Sequence, residues 1–198
     1  PMIRGFATNR VLLVVDGVRM NNAIYRSGNL QNVISIDALS TETAEVIFGP
    51  GSVIYGSDAI GGVMDFHTLD ARFSKDKKMQ VRGSVLSRYS TANKENTIHA
   101  DINLGWKKWS VLSSFSYSKF DDLKMGENGG QDNYLRPEYV EIVNNTDNIV
   151  QNSDPRIQRF SGYNQTNFLQ KIRFKPNENW DLQYSFTYAK TGDAPRYD

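Results

Sequence analysis

The chain has no cysteine, so disulfides and thiolate metal sites are excluded from its chemistry. Histidine is nearly as scarce, with only His67 and His99. Neither sits in a Ser-His-Asp spacing or a metal-ligand cluster, so both read as structural residues. No catalytic residue, metal ligand or cofactor is assigned, and the chain is not expected to be an enzyme. No apolar run reaches the length of about 18 residues that a spanning helix needs, but spanning strands require only about 9 to 11 alternating residues and stay open. An excess of one charge is also missing: 23 basic residues stand against 22 acidic ones, which implies no nucleic acid or other polyanion as partner. The opening Pro1-Met2-Ile3-Arg4 lacks the basic and then apolar order of a signal peptide. The closing Ala194-Pro195-Arg196-Tyr197-Asp198 is loop-like, so the chain is expected to be an internal piece of a longer protein.

Glycine is plentiful, and it concentrates where it matters most, in EVIFGPGSVIYGSDAIGGVMDFHT from Glu45 to Thr68. A β-branched run enters Gly49-Pro50-Gly51, where proline fixes φ and the glycines permit left-handed geometry, so the strand must stop. Gly56 and Gly61-Gly62 repeat the punctuation before Val63 to Thr68 resumes strand character. The spacing predicts two strands joined by a connector with at most one helical turn, Ser52 to Tyr55. Nucleotide loops do not fit: Gly62 stands where a phosphate loop needs lysine, and Ile54 where a dinucleotide fingerprint needs its third glycine. Upstream, Val11 to Val15 is a continuous apolar run ended by Asp16-Gly17, a strong hairpin signal, with Val18 to Met20 returning. A helical turn is expected near Leu30 to Ile34 and a brief helix start at Ser40 to Thr43. Asp70 to Lys78 reads as a solvated connector.

From Met79 onward the rhythm becomes strict alternation. Met79, Val81, Val85 and Tyr89 oppose Gln80, Arg82, Ser84 and Arg88. Ile98, Ala100, Ile102, Leu104 and Trp106 oppose His99, Asp101, Asn103 and Gly105. Trp109, Val111, Phe115 and Tyr117 oppose serines, with Leu112 as the exception. Phe168, Ile172 and Phe174 oppose Asn167, Lys171 and Arg173. Trp180, Leu182, Tyr184, Phe186 and Tyr188 oppose Asp181, Gln183, Ser185 and Thr187. A soluble sandwich alternates as well, so connector length and aromatic placement decide. Lys107-Lys108 and Lys175 to Asn179 are short turns, whereas 121–162 is a long polar excursion, the arrangement of an outer-membrane barrel with its short turns periplasmic. Trp106, Trp109 and Trp180 then fall beside the short turns, and Tyr89, Tyr117 and Tyr188 toward the other rim, as two boundary girdles. Such a sheet has open edges and cannot stand alone in lipid, so further strands must come from elsewhere. Asn144 to Asp154 carries oxygen ligands without a calcium-loop pattern and reads as a flexible external loop.

The glycine stretch resembles the closing motif of the plug domain in TonB-dependent outer-membrane receptors. Glu45, Val46, Gly49, Pro50, Ser52, Tyr55, Gly56, Ser57, Ala59, Gly61, Gly62, Val63 and Thr68 stand in register with it, and Asp65 departs from the usual Asn. A second block, Ile3-Arg4-Gly5-Phe6 with Arg10-Val11-Leu12-Leu13 and Asp16-Gly17-Val18, is similar to the family's upstream segment. The resemblance implies an α+β plug, residues 1–68 being its later part, a connector at 69–78, and from 79 to 198 the first five or so strands of a membrane β-barrel of about 22 strands. It further implies active transport of a scarce ligand, with a TonB-type energy-transducing partner engaged through a segment outside this chain, and outer-membrane lipid around the wall. The form Arg10 to Asn22 looks most like the haem and haemoglobin receptor branch, while siderophore and cobalamin receptors share enough of it to stay open. Arg4, Arg10, Arg19 and Arg26 are candidates for pairing the plug to inward acids such as Asp101 and Asp181. A passive porin and a structural or adhesive β-domain are the rivals from other classes.

Overall fold

Strand β1 (Val11–Val15) turns at Asp16-Gly17 into β2 (Val18–Arg19), with Val15 directly opposite Val18. Both turn residues have positive φ, 48° and 78°, as a two-residue hairpin requires. Asp37 caps a 3-10 turn, Ala38–Ser40, by accepting a bond from the Leu39 N–H. Strand β3 (Thr41–Phe48) follows, so the helical start expected at Ser40 lies slightly earlier and ends where β-branched Thr41 begins the strand. Helix α1 is the single turn Ser52–Tyr55, and β4 runs from Gly62 to Thr68. The sheet order is β2-β1-β4-β3, with β1 parallel and β3 antiparallel to β4. Strand β1 is internal, which explains its unbroken apolar run: Val11, Leu12, Leu13 and Val14 are all buried. Leu12, Val14, Ala59 and Val63 form the core, with Ile47 and Tyr55 against it.

The computed structural model describes residues 11–20, 35–49, 52–56, 59, 61–76, 78–126 and 135–192. Two compact units make up the chain. The first is Pro1–Ser84, Asp101–Phe115 and Asn167–Ala189; the second is Val85–Ala100, Ser116–Thr166 and Lys190–Asp198. The helical turn expected at Leu30 to Ile34 lies outside the described residues.

After β4 come β5 (Gln80–Ser90), β6 (Glu95–Gly105), β7 (Trp109–Phe120), β8 (Leu123–Lys124), β9 (Glu138–Val143), β10 (Thr146–Gln151), β11 (Ile157–Gln158), β12 (Tyr163–Asn177) and β13 (Trp180–Thr191). The long strands form one sheet in the order β13-β12-β7-β6-β5. Burial along them is the reverse of a soluble sheet. On β6 and β7 the polar row Thr97, His99, Asn103, Ser110, Ser114 and Ser116 is buried, while Ile98, Ile102, Trp109, Phe115 and Tyr117 are exposed. The apolar row of β13 is exposed throughout. Rows this apolar stay uncovered where the surrounding medium is itself apolar.

The described parts of the excursion, 121–126 and 135–162, carry paired strands rather than an irregular loop. Strands β9 and β10 pair in register from Val143 with Thr146 to Glu138 with Gln151, and β8 pairs with β11. Asn144 and Asn145 make the intervening turn at positive φ, which asparagine tolerates better than most residues. At the open end of that hairpin, away from the turn, the Asp154 carboxyl is held below its ordinary range by the backbone N–H of Arg156 and then by Lys124, whose Nζ lies 3.2 Å away.

Candidate functional site

The two sequence blocks meet in space. Strand β1 of the upstream block lies parallel to β4 of the glycine block, Leu12 beside Val63 and Val15 beside Phe66. Asp16 closes the junction: its Oδ1 accepts the backbone N–H of Thr68 at 2.9 Å and its Oδ2 accepts the Thr68 hydroxyl at 2.6 Å. Gly62 takes φ 141° where β4 begins between Val11 and Phe48. Gly56, at φ 93°, leaves room for the Arg19 guanidinium, whose Nη1 is 3.2 Å from where a Cβ would stand. Gly49 has φ 92° with open space around it, Gly61 is buried, and Glu45 is exposed on β3 opposite Asp65. Tyr55 packs on the core. Arg4, Gly5, Arg10, Arg26 and Pro50 lie outside the described residues.

Strand β12 places a cation on this junction. Lys171 is 1 % exposed, its Nζ lies 3.1 Å from Asp16 Oδ2 and donates to the Thr68 carbonyl at 3.3 Å. Asp70 Oδ1 is 3.8 Å away. A lysine is almost never fully buried unless paired, and here one wall cation is shared among plug oxygens. The expectation was arginine from the plug meeting acid from the wall; this pair has the opposite polarity. Sequence reasoning placed Lys171 on the inward row but gave it no role. Its row on β12 also carries Asn167, Leu169 and Arg173, so the alternation alone did not single it out.

Around this pair the wall's polar row bonds the chain after β4. Asn103 exchanges both hydrogen bonds with the Arg72 backbone at 2.9 Å, and the Ser110 hydroxyl donates to the Arg72 carbonyl at 2.8 Å. Ala71 is buried with Leu112 and Leu169, which explains the one apolar residue on the serine row of β7. The connector from Asp70 is therefore not solvated along its first half: Ala71 and Ser74 are both buried, because the wall supplies partners for that backbone. Gly105 makes room for it, since a Cβ there would come within 2.5 Å of the Arg72 carbonyl oxygen. Elsewhere the Ser40 and Ser114 hydroxyls meet at 2.8 Å, and Asn167 donates to the Ser35 carbonyl at 3.0 Å.

The acids expected to hold plug arginines have other partners in view. Asp181 receives both Arg173 nitrogens from the neighbouring strand, at 2.8 and 2.7 Å, and the Ser84 hydroxyl donates to Asp101. Trp106, Trp109 and Trp180 are exposed beside the short turns, with Trp109 stacked on Phe174 at 4.1 Å, and Tyr89, Tyr117 and Tyr188 are exposed as well. His99 is buried with Nδ1 2.7 Å from the Ser116 hydroxyl, and exposed His67 lies 3.8 Å from Asp65. Among the described residues no group of three or more His, Cys, Asp or Glu is placed to hold a metal ion.

Comparison with known proteins agrees with this architecture. Residues 1–63 match the TonB-dependent Receptor Plug Domain. A vitamin B12 transporter of Vibrio vulnificus is 39% identical over 132 residues, covering 64% of this chain and 20% of its own length. A heme/hemopexin utilization protein C of Haemophilus influenzae is 34% identical over 104 residues, 52% of this chain and 14% of that protein. The ferric enterobactin receptor of Pseudomonas aeruginosa superposes with a TM-score of 0.63 at 17% identity, over 96% of this chain and 26% of the receptor. The FrpB iron transporter of Neisseria meningitidis gives 0.62 at 18% identity, over 93% and 24%. The chain spans 20% and 14% of the length of these two relatives, and 26% and 24% of the two solved structures. Those proteins are transporters and receptors rather than enzymes. Residues 1–63 thus match a TonB-dependent receptor plug domain, and the chain as a whole shares the fold of the receptor and transporter structures named above.

Proposed function

We propose that the protein takes up a scarce ligand, haem or another iron complex, across the outer membrane by TonB-driven movement of the plug. The supporting observation is the seam itself: Lys171, Ser114 and Asn167 bond residues of the plug and Asn103 bonds the connector after it, while apolar rows face outward. A passive pore has no use for such a stopper, and a soluble adhesive domain would bury those apolar rows. A nanomolar ligand is held by about 12 kcal/mol, and one proton crossing roughly 150 mV yields about 3.5 kcal/mol, so release needs several protons or a mechanical opening that first lowers affinity. A TonB-type partner pulling from the periplasm supplies that opening. Arg4, Arg10 and Arg19 remain proposed plug anchors beside Lys171.

Cobalamin is the second reading, favoured by the 39% identity to the vitamin B12 transporter. Growth of a strain deleted for the receptor, complemented or not, on haem, on a ferric siderophore or on limiting vitamin B12 as the sole source decides between them. Restoration only by the complemented strain on haem or a siderophore supports iron uptake. Restoration on vitamin B12 alone moves the assignment to cobalamin, and no restoration on any source removes the transport reading.

A further inference from the structure

One short pattern recurs on two outward rows: Phe115-x-Tyr117-x-Lys119 ends β7, and Phe186-x-Tyr188-x-Lys190 ends β13. Alternation keeps the three side chains of each pattern on one face, and all six are exposed. Tyrosine marks the level where hydrocarbon gives way to headgroups. A lysine two residues farther lies about 7 Å beyond it, which lets its apolar stem run along the boundary and its ammonium reach the phosphate layer.

Lys119 belongs to a larger basic rim within the second unit. Lys94 of the β5 to β6 turn, Lys119, Lys124 and Arg159 line a concavity of about 490 Å³ together with Asp121 and Asp122. Asp122 is committed to the loop backbone, accepting the N–H groups of Ser161 at 2.9 Å and Gly162 at 3.2 Å. Lys124 is positioned by Asp154 and Arg159 by the Asn152 side chain at 3.3 Å. Four cations against the two lining carboxylates and Asp154, which pairs Lys124, leave the rim with a net positive charge at the end of the β7 outward row. A soluble anion would find cations anywhere on the surface; here Lys119 continues the outward row of β7, and Lys94, Lys124 and Arg159 line the same concavity from the adjoining turn, short strand and loop.

We propose that this rim binds the phosphate headgroup of an outer-leaflet membrane lipid, with Lys94 and Lys119 as the phosphate-binding cations. The inference rests on the membrane-spanning reading of the strands and is independent of the cargo. The full-length receptor in phosphatidylcholine nanodiscs is titrated with bisphosphorylated lipid A, with the same lipid dephosphorylated, and with inorganic phosphate as competitor. A cation at a membrane surface contributes about five-fold in affinity, so Lys94→Gln with Lys119→Gln should weaken lipid A binding about thirty-fold. Dephosphorylation should weaken wild-type binding comparably, and inorganic phosphate should not displace the lipid. Lys107→Gln with Lys108→Gln, at the opposite turn, should leave binding unchanged. An unaffected Lys94/Lys119 double variant overturns the proposal, as does equal binding of the dephosphorylated lipid. Displacement by inorganic phosphate, or equal weakening by the Lys107/Lys108 variant, overturns it too. Heat-modifiable gel migration reports that the variants fold, and their cargo uptake should equal wild type, so failure here is separable from failure of the transport reading.

Discussion

Replacing Lys171 with methionine keeps an unbranched apolar stem and removes the ammonium, and with it both the charge shared with Asp16 and the donor to the Thr68 carbonyl. In the seated state the variant leaves the Asp16 carboxylate beside an apolar stem, although the Thr68 N–H and hydroxyl still bond it and its side chain keeps 22% of its exposure. Breaking a buried pair by removing one partner costs about 3 to 5 kcal/mol, and the surviving Thr68 bonds place this case near 3. That corresponds to about a 150-fold increase in the population with the plug loosened from the wall. Hydrogen exchange of β1 and β4 amides in the full-length receptor should accelerate by that order, and cells should admit a bulky hydrophilic antibiotic more readily. Adding Asp16→Asn should recover much of the loss, because the charge then left without Lys171 is Asp70, which is exposed to solvent. If Lys171→Met leaves both exchange and leakage at wild-type levels, the buried pair does not hold the plug and the account of the seam fails.

Gly105→Ala should displace the connector after β4, since the added methyl meets the Arg72 carbonyl oxygen at 2.5 Å and the Ser74 nitrogen at 3.0 Å, both backbone; faster exchange of amides 71–74 is the readout, and unchanged exchange would count against the packing. Gly17→Ala meets no atom but must hold φ 78°, so it should cost about 1 to 2 kcal/mol of plug stability through strain alone, read as a shifted denaturation midpoint. Asp181→Asn removes a pair at 30% and 36% exposure, so stability should move by less than about 1 kcal/mol; a larger drop would give Asp181 a structural part it lacks here. The Asp154 carboxyl lies below its ordinary 3.8, so its contribution is complete above that pH and is lost as pH falls through the depressed value. Pepsin should therefore leave 135–162 intact until pH drops below 3.8, and cleavage setting in well above that pH would contradict the pairing with Arg156 and Lys124.

Local chemistry was enough to read much of the fold. Asp16-Gly17 announces its hairpin because few dipeptides accept two positive φ values, and the glycine punctuation around α1 brackets a single turn of helix. The alternation of β6, β7 and β13 assigns each side chain to a face, since a strand has a period of two. The tryptophans beside Lys107-Lys108 and at the start of β13 mark one end of the strands from sequence alone. Other features were illegible because they depend on partners distant in the chain. Leu112 looked like a fault in its row until Ala71 and Leu169 were found against it. The connector looked solvated because Asp70 and Lys75 to Lys78 are polar, yet Asn103 and Ser110 bond its backbone from strands more than 30 residues away.

Periodicity and glycine spacing by themselves determined that this protein has long strands polar on one face and apolar on the other, and a glycine-hinged connector between two shorter strands. Only the tertiary structure decided which charges meet. Lys171 and Asp16 are 155 residues apart in sequence by their numbers, and nothing local in either one names the other. A buried charge finds its partner through three-dimensional placement, because the cost of desolvating it is offset only by oxygens within about 4 Å, and sequence spacing carries no information about distance on that scale.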